Sequence, residues 1–333
     1  MNIETVNYPH PSKTRQASGS HIRPLDPLRD MPAVLDLIEI GFKDELDPQG
    51  WKMLSQMRQL YQPGLLGKII YHPGLGTQGF VWVQDGRIVG NLSLRHAQPR
   101  SGRGLLIGNV VVHPDYRQQG VGRALMEHAI AAARRENAPW IGLEVRADNA
   151  VASTLYDHLG FKSVGIVKHL LRPKDLRWPH SVRPQADWRR STSKDSASWL
   201  HLANLVYDHD QKKVLEIRAG LYDFEGLDKL LERLIKRQRE KAWVSESPSG
   251  AVLLGAHAQT DRRYHFHVWD LLMHPDTGLA GAHEVVARAI AGTRQFPAWP
   301  VVVLVPDLPP LLEALKSAGF QPHRTLQQMI LYL

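Results

Sequence analysis

Cysteine is absent from the 333 residues, which removes disulfides, thiolate metal sites and a thiol nucleophile together. Redox chemistry therefore does not set the compartment. Long apolar runs are missing too. None approaches the roughly 20 residues of a membrane span, and the first 20 residues have no signal-peptide core and read as a polar, partly disordered tail. A cytoplasmic chain with no membrane partner is the expectation. No grouping of His, Asp and Glu has convincing metal-ligand spacing, so no metal is expected. The formal net charge of +8 is unaccompanied by a helix-turn-helix, zinc-finger or RNA-binding motif. Its basic residues are dispersed, apart from clusters at 172–190 and 233–241, and read as solvated faces. Nucleic-acid binding stays a minor alternative.

What is present is the composition of a soluble globular protein, 43% hydrophobic and 22% charged, in a chain long enough for two cores. Its organising stretch is LLIGNVVVHPDYRQQGVG, residues 105–122. The β-branched run 105–112 predicts a buried strand that stops at His113-Pro114-Asp115, because proline donates nothing to a sheet ladder. His113 reads as a turn residue. A short loop leads to a helix over 123–136, with Leu125, Ala129 and Ala133 on one face. Such a loop aims unpaired N–H groups at one point where the helix dipole favours negative charge, and its glycines admit a phosphate closely. The loop taken alone also fits an ordinary turn.

Arg117-x-x-Gly120-x-Gly122 resembles the coenzyme-A-binding loop of the GNAT superfamily of N-acetyltransferases. A second stretch, LEVRADNAVASTLYDHLGF at 143–161, is similar to enzymes that acetylate the N-terminal alanine of a ribosomal protein. That resemblance implies Glu144 as base and Tyr156 as acid. The wider one implies acetyl-CoA as cosubstrate, bound by Asn109, Val110, Val111, Val112, Arg117, Gln118, Gln119, Gly120, Val121, Gly122, Arg123 and Asn149. The chemistry asks for such groups independently: an ammonium acceptor must lose a proton before attack, and the departing thiolate must gain one. Glu144 lies opposite Ile141, Leu143 and Val145 on a predicted strand, 140–146. Tyr156 follows Leu155 on a helix whose expected buried stripe is Val151, Leu155 and Leu159, which turns the phenol toward a groove edge. Packing alone is the competing reading for Tyr156, and a surface glutamate for Glu144.

Upstream, Asp30 is a candidate helix cap with Pro32 in the first turn, and a second amphipathic helix runs over 51–61. Between them Asp44, Glu45 and Asp47 form an acidic cluster. In a GNAT-like domain this region borders the acceptor, so Asp44 and Glu45 are candidates for attracting an ammonium group; a solvated loop fits equally. The glycine-rich segment 64–79 reads as a flap or a tucked loop. The run 80–84, Asp85-Gly86 and 87–95 predicts a β-hairpin.

The chain also repeats itself. His113-Pro114-Asp115 recurs as His274-Pro275-Asp276 and Gly160-Phe161 as Gly319-Phe320, at offsets of 161 and 159 residues. At the second offset Glu144 falls on Val303, Asn149 on Leu308 and Tyr156 on Leu315, while the loop acquires Asp276 where an arginine stood. The second copy is expected to have lost the chemistry and to wall the acceptor site or stabilise the first. Each copy has a single strand after Gly-Phe, which raises strand exchange between them.

The expected fold is α/β (α+β): two tandem GNAT-like domains, each a mixed, mostly antiparallel sheet flanked by helices. The division is a tail at 1–20, a catalytic domain at 21–172, a linker at 173–187 and a degenerate domain at 188–333. The expected activity is acetyl-CoA-dependent transfer to a primary amine, on a small molecule or a peptide N-terminus, by direct attack in a ternary complex. The alternative is a non-catalytic acyl-CoA-binding regulatory module.

Overall fold

The computed structural model describes residues 19–43, 46–60, 78–97, 103–174, 176, 178, 183–224 and 238–333. Strand β1 (Ser20–Pro24) leads into helix α1 (Pro27–Phe42). Asp26, not Asp30, caps that helix, accepting from the backbone N–H groups of Leu28 and Arg29. Pro27 at the first helical position fixes this start. Asp30 lies one turn inside, buried, with Arg23 Nη2 donating to it at 2.8 Å. The corrected role is that of a buried carboxylate needing a cation. Helix α2 (Pro48–Leu60) follows.

The hairpin forms as expected from β2 (Gln78–Gln84) and β3 (Arg87–His96). Asp85 and Gly86 both take positive φ, 48° and 77°, as a primed two-residue turn requires. Then come β4 (Leu105–Val112), α3 (Val121–Arg135), β5 (Trp140–Arg146), α4 (Ala150–His158) and β6 (Lys162–Arg172). Leu125, Ala129 and Ala133 are fully buried, so the α3 face is the one its spacing predicts. Of the stripe expected on α4, Leu155 and Leu159 pack against the first core and Val151 does not. Val151 is 80% exposed and Tyr156 is the helix's buried residue. The helix rests on Ala152, Leu155, Tyr156 and Leu159, a face rotated from the predicted stripe at its first turn, because the phenol carries more apolar area to bury than valine does.

The second half has β7 (Arg189–Arg190), α5 (Ser196–Val206), α6 (His209–Val214), β8 (Gln238–Glu246), β9 (Val252–Asp261) and β10 (Phe266–Met273). It closes with α7 (Gly278–Thr293), β11 (Val301–Pro306), α8 (Pro309–Ser317) and β12 (Gln321–Tyr332).

All the strands join one sheet in the order β1-β2-β3-β4-β5-β12-β6-β11-β10-β9-β8-β7. The order is a palindrome with its two final strands exchanged. β12 lies antiparallel between β5 and β6, and β6 pairs antiparallel with β11. Two parallel contacts, β4 with β5 and β10 with β11, occupy equivalent places. The exchange is also one of cores. Met329 of β12 is fully buried among Leu92, Leu105 and Ile141, while Leu170 of β6 packs with Trp269 and Val303. Ordinary right-handed crossovers through α3 and α7 supply the parallel pairs; the exchanged strands then need no crossover of their own.

Candidate functional site

Pairing between β4 and β5 is short. It covers Leu105↔Ile141 through Ile107↔Leu143 and then stops. Asn109 takes a left-handed φ of 52°, and the register against β3 slips beside it, which bends β4 away. Asn91 holds the bend by donating to the Asn109 carbonyl at 3.0 Å, and Asn109 Nδ2 reaches Ser93 Oγ at 3.3 Å. Beyond the fork lies a cavity of about 460 Å³. Glu144, Tyr156, Asn149, Asn109 and Val110 line it, with apolar walls from α1 and α2. A second cavity, about 380 Å³, meets it at Ile107 to Asn109, Leu143 and Glu144 and extends toward Arg95 and Val214.

Glu144 stands at that junction. Its side chain keeps surface open to the cavity while dense neighbours surround it, and this desolvation pushes its carboxyl above the usual range. A hydrogen bond from Gln328 Nε2 to Glu144 Oε1, 2.7 Å, opposes the shift, as do the charges of Arg324 and Arg95. Tyr156 is 6% exposed, its ring 6.1 Å from that of Phe161, and burial pushes the phenol up to about 12. Among the described residues its hydroxyl has no hydrogen-bond partner. It sits deeper than the groove edge its helical angle suggests, yet on the same cavity as Glu144. Asn149 caps α4, accepting from Ala152 N at 3.1 Å.

The glycine loop enters α3 through Gly120, whose φ of 82° only glycine takes without strain. Gln118, at φ 60°, contributes a second left-handed turn. No side chain caps the helix, and the Val121, Gly122 and Arg123 N–H groups precede the first intrahelical bond, Ala124 N to Gly120 O. Arg117 Nε bonds the Val112 carbonyl at 3.2 Å, and Gln119 Nε2 the Asp115 carbonyl at 3.0 Å. Of the predicted coenzyme residues, Val111 points elsewhere, into the core beneath α1. His113 behaves as the turn residue expected, accepting from Asp115 N at 3.4 Å.

Residues 50–161 match the model of the acetyltransferase (GNAT) family. This segment is a GNAT acetyltransferase domain. Over 69 residues the chain is 44% identical to the [ribosomal protein bS18]-alanine N-acetyltransferase of Escherichia coli K12, covering 21% of this chain and 47% of that protein. It therefore spans about half the length of the curated relatives it matches first. A GCN5-related N-acetyltransferase from Sphaerobacter thermophilus superposes with a TM-score of 0.59 at 15% identity, over 95% of this chain and 96% of that one. A tandem GNAT protein from the clavulanic acid biosynthesis pathway gives 0.60 at 16% identity, over 94% and 98%. These likenesses extend the GNAT fold across both halves.

The two GNAT-like halves differ where chemistry is concerned. Val303 and Leu315, the counterparts of Glu144 and Tyr156, are fully buried in the second core, and Leu308 packs against it. His257, opposite Asp270 in the ladder, bridges Asp270 at 2.6 Å and Glu240 at 2.9 Å.

Two groups of the site escaped the sequence reading. One is Gln328, fully buried on β12 and directly opposite Glu144 in the ladder. Its signal was a polar pair, Gln327-Gln328, directly ahead of the apolar run Met329-Ile330-Leu331 in the terminal strand. The other is Asp47 with His169 and Arg324. Asp47, grouped by sequence with Asp44 and Glu45, is buried; it accepts from Gly50 N at 2.7 Å and lies 3.0 Å from His169 Nε2, off the axis of a well-aligned hydrogen bond. Arg324 Nε donates to His169 Nδ1 at 2.8 Å, which leaves the ring proton on Nε2 facing Asp47. Burial holds His169 below its usual range; burial also acts to raise Asp47, but the close His169 ring, the Gly50 N–H and the Arg324 charge bring it below its own. With His323 these residues place donor atoms within 4.8 Å of one another. The arginine already supplies the cation there, and the protonated Nε2 offers no lone pair to a metal. Asp44 and Glu45, the predicted acceptor residues, lie outside the described residues, as does the segment 61–77.

Proposed function

We propose that the chain is an acetyl-CoA-dependent N-acetyltransferase acting on a primary amine, with its working site in the first half. The carrying observation is that Glu144 and Tyr156, oppositely suited to proton transfer, share one cavity at the β4–β5 fork. Acetyl-CoA, when bound, supplies an acyl group activated as a thioester. The uncapped N–H groups of Val121, Gly122 and Arg123 would hold its diphosphate, and backbone groups freed on β4 beyond Ile107 its pantetheine and carbonyl. Glu144 takes a proton from the acceptor ammonium, directly or through water. The amine nitrogen forms its bond to the acyl carbon as the carbon–sulfur bond breaks, Tyr156 gives its proton to the departing sulfur, and the proton then lost from the nitrogen restores the phenol. A phenol pushed up to about 12 stays protonated at every pH where the acceptor can react.

The acceptor class is a primary amine, including peptide N-termini, which are the substrate named for the Escherichia coli relative. The apolar walls from Phe42, Met53, Leu54 and Met57 favour an acceptor with an apolar body. A turnover screen tests the proposal: thiol release from acetyl-CoA across amines and short peptides. Release that depends on an amine and falls in Tyr156→Phe supports it. Coenzyme binding without release for any amine would make the chain an acyl-CoA-binding module.

A further inference from the structure

The exchanged strand brings more than apolar area to the first half. Gln328 of β12 pairs across the ladder with Glu144 and is completely buried. Its amide can present either an oxygen or an NH₂ group to the carboxylate, and the surroundings decide which. Gln211 of α6 donates from Nε2 to Gln328 Oε1 at 3.0 Å and to the Ile166 carbonyl at 3.2 Å. With its oxygen so occupied, Gln328 must turn Nε2 toward Glu144 Oε1, 2.7 Å away. Gly165 makes the room: a Cβ there would sit 2.3 Å from Gln211 Cδ. Three elements thus converge to aim one N–H at one carboxylate oxygen.

We propose that Gln328, held by Gln211, is the positioning residue for the Glu144 carboxylate, so that the last strand of the second half completes the working site of the first. The proposal rests on the assignment of Glu144 as base. Its physical content is that a fixed donor favours the ionised, proton-accepting form and fixes which oxygen faces the acceptor. The other charged groups acting on Glu144 are Arg95 of β3 and Arg324 of β12, with Tyr156 of α4 as the titratable group across the cavity. Helix α2 faces it with Met53 and Met57, α6 with Val214, and β4 with Ile107, Gly108 and Asn109, none of them charged.

The test follows the carboxyl itself and the rate together. Glu144 is titrated by ¹³C-glutamate NMR, assigned by difference from Glu144→Gln, and kcat is measured against pH. Gln328→Met keeps the length and removes the donor. Both the titration and the acid limb of the rate profile are expected to move up by about one pH unit, a loss of about tenfold on that limb. Gln211→Leu, which removes the donor that holds the Gln328 oxygen, is expected to move both in the same direction by less, and it carries the test should Gln328→Met fail to fold. A structural role alone would lower the whole profile without moving its limb. A titration unmoved in both variants overturns the proposal. A titration that moves while the rate profile keeps its limb upholds Gln328's hold on the carboxylate and overturns Glu144 as base.

Discussion

Tyr156 shows how much one side chain's surroundings decide. Burial, with no hydrogen-bond partner among the described residues, keeps its phenol protonated and free to donate, which is the state an acid for a leaving thiolate needs. Tyr156→Phe is expected to lower kcat by about 10²-fold or more while the KM for acetyl-CoA changes only a few-fold, as initial rates of thiol release would show. His257 offers a stability counterpart. Burial alone would lower its pKa, but bonds to Asp270 and Glu240 outweigh this and bring it up to about 9. A raised histidine pKa means the folded state binds the extra proton. The stabilisation is complete below the unfolded value, about 6.5, and is lost as pH rises through about 9. The melting temperature of the parent chain is therefore expected to fall over that window, and that of His257→Gln to fall less, as thermal denaturation would show.

At the scale of elements, the N-terminus of α3 is the feature read most directly from sequence. The left-handed entry and uncapped first turn follow from Gly120 in Gln118-Gln119-Gly120-Val121-Gly122, because glycine takes that φ without strain. A Cβ at Gly122 would meet only Leu155 Cδ2 and Val112 Cγ2, each at 3.8 Å, so a side chain fits. Gly122→Asp is expected to fold with little change in melting temperature and to raise the KM for acetyl-CoA at least tenfold by placing a carboxylate against the diphosphate. Helix α4 gives the opposite lesson. Its spacing was legible, its rotation was not. Whether Val151 or Tyr156 turns inward depends on what lies beneath it, here the buried Phe161, whose ring is 6.1 Å from that of Tyr156.

At the scale of the whole molecule, the interleaved sheet binds the two halves into one. Neither half closes its core without the other's last strand, and Lys52 of α2 adds an ion pair to Asp261 at the end of β9. Unfolding is expected to be a single transition, coincident by circular dichroism and by the fluorescence of Trp140 in one half and Trp199 and Trp269 in the other. A chain ending at Arg172 would leave β5 an open edge and is expected to be insoluble or inactive; a soluble, active product would refute the dependence.

Sequence by itself determined the strands, the phosphate-type loop, the internal repeat and the loss of polar groups from the second copy. Each is a local pattern: alternation, a glycine at a forced φ, a proline that ends a ladder. Tertiary structure alone decided which strand lies beside β5, and with it the donor that faces Glu144 and the arginine beside Asp47. Glu144 and Gln328 are 184 residues apart in the chain. No local periodicity carries that pairing, because it is fixed by how two sheets exchange their edges.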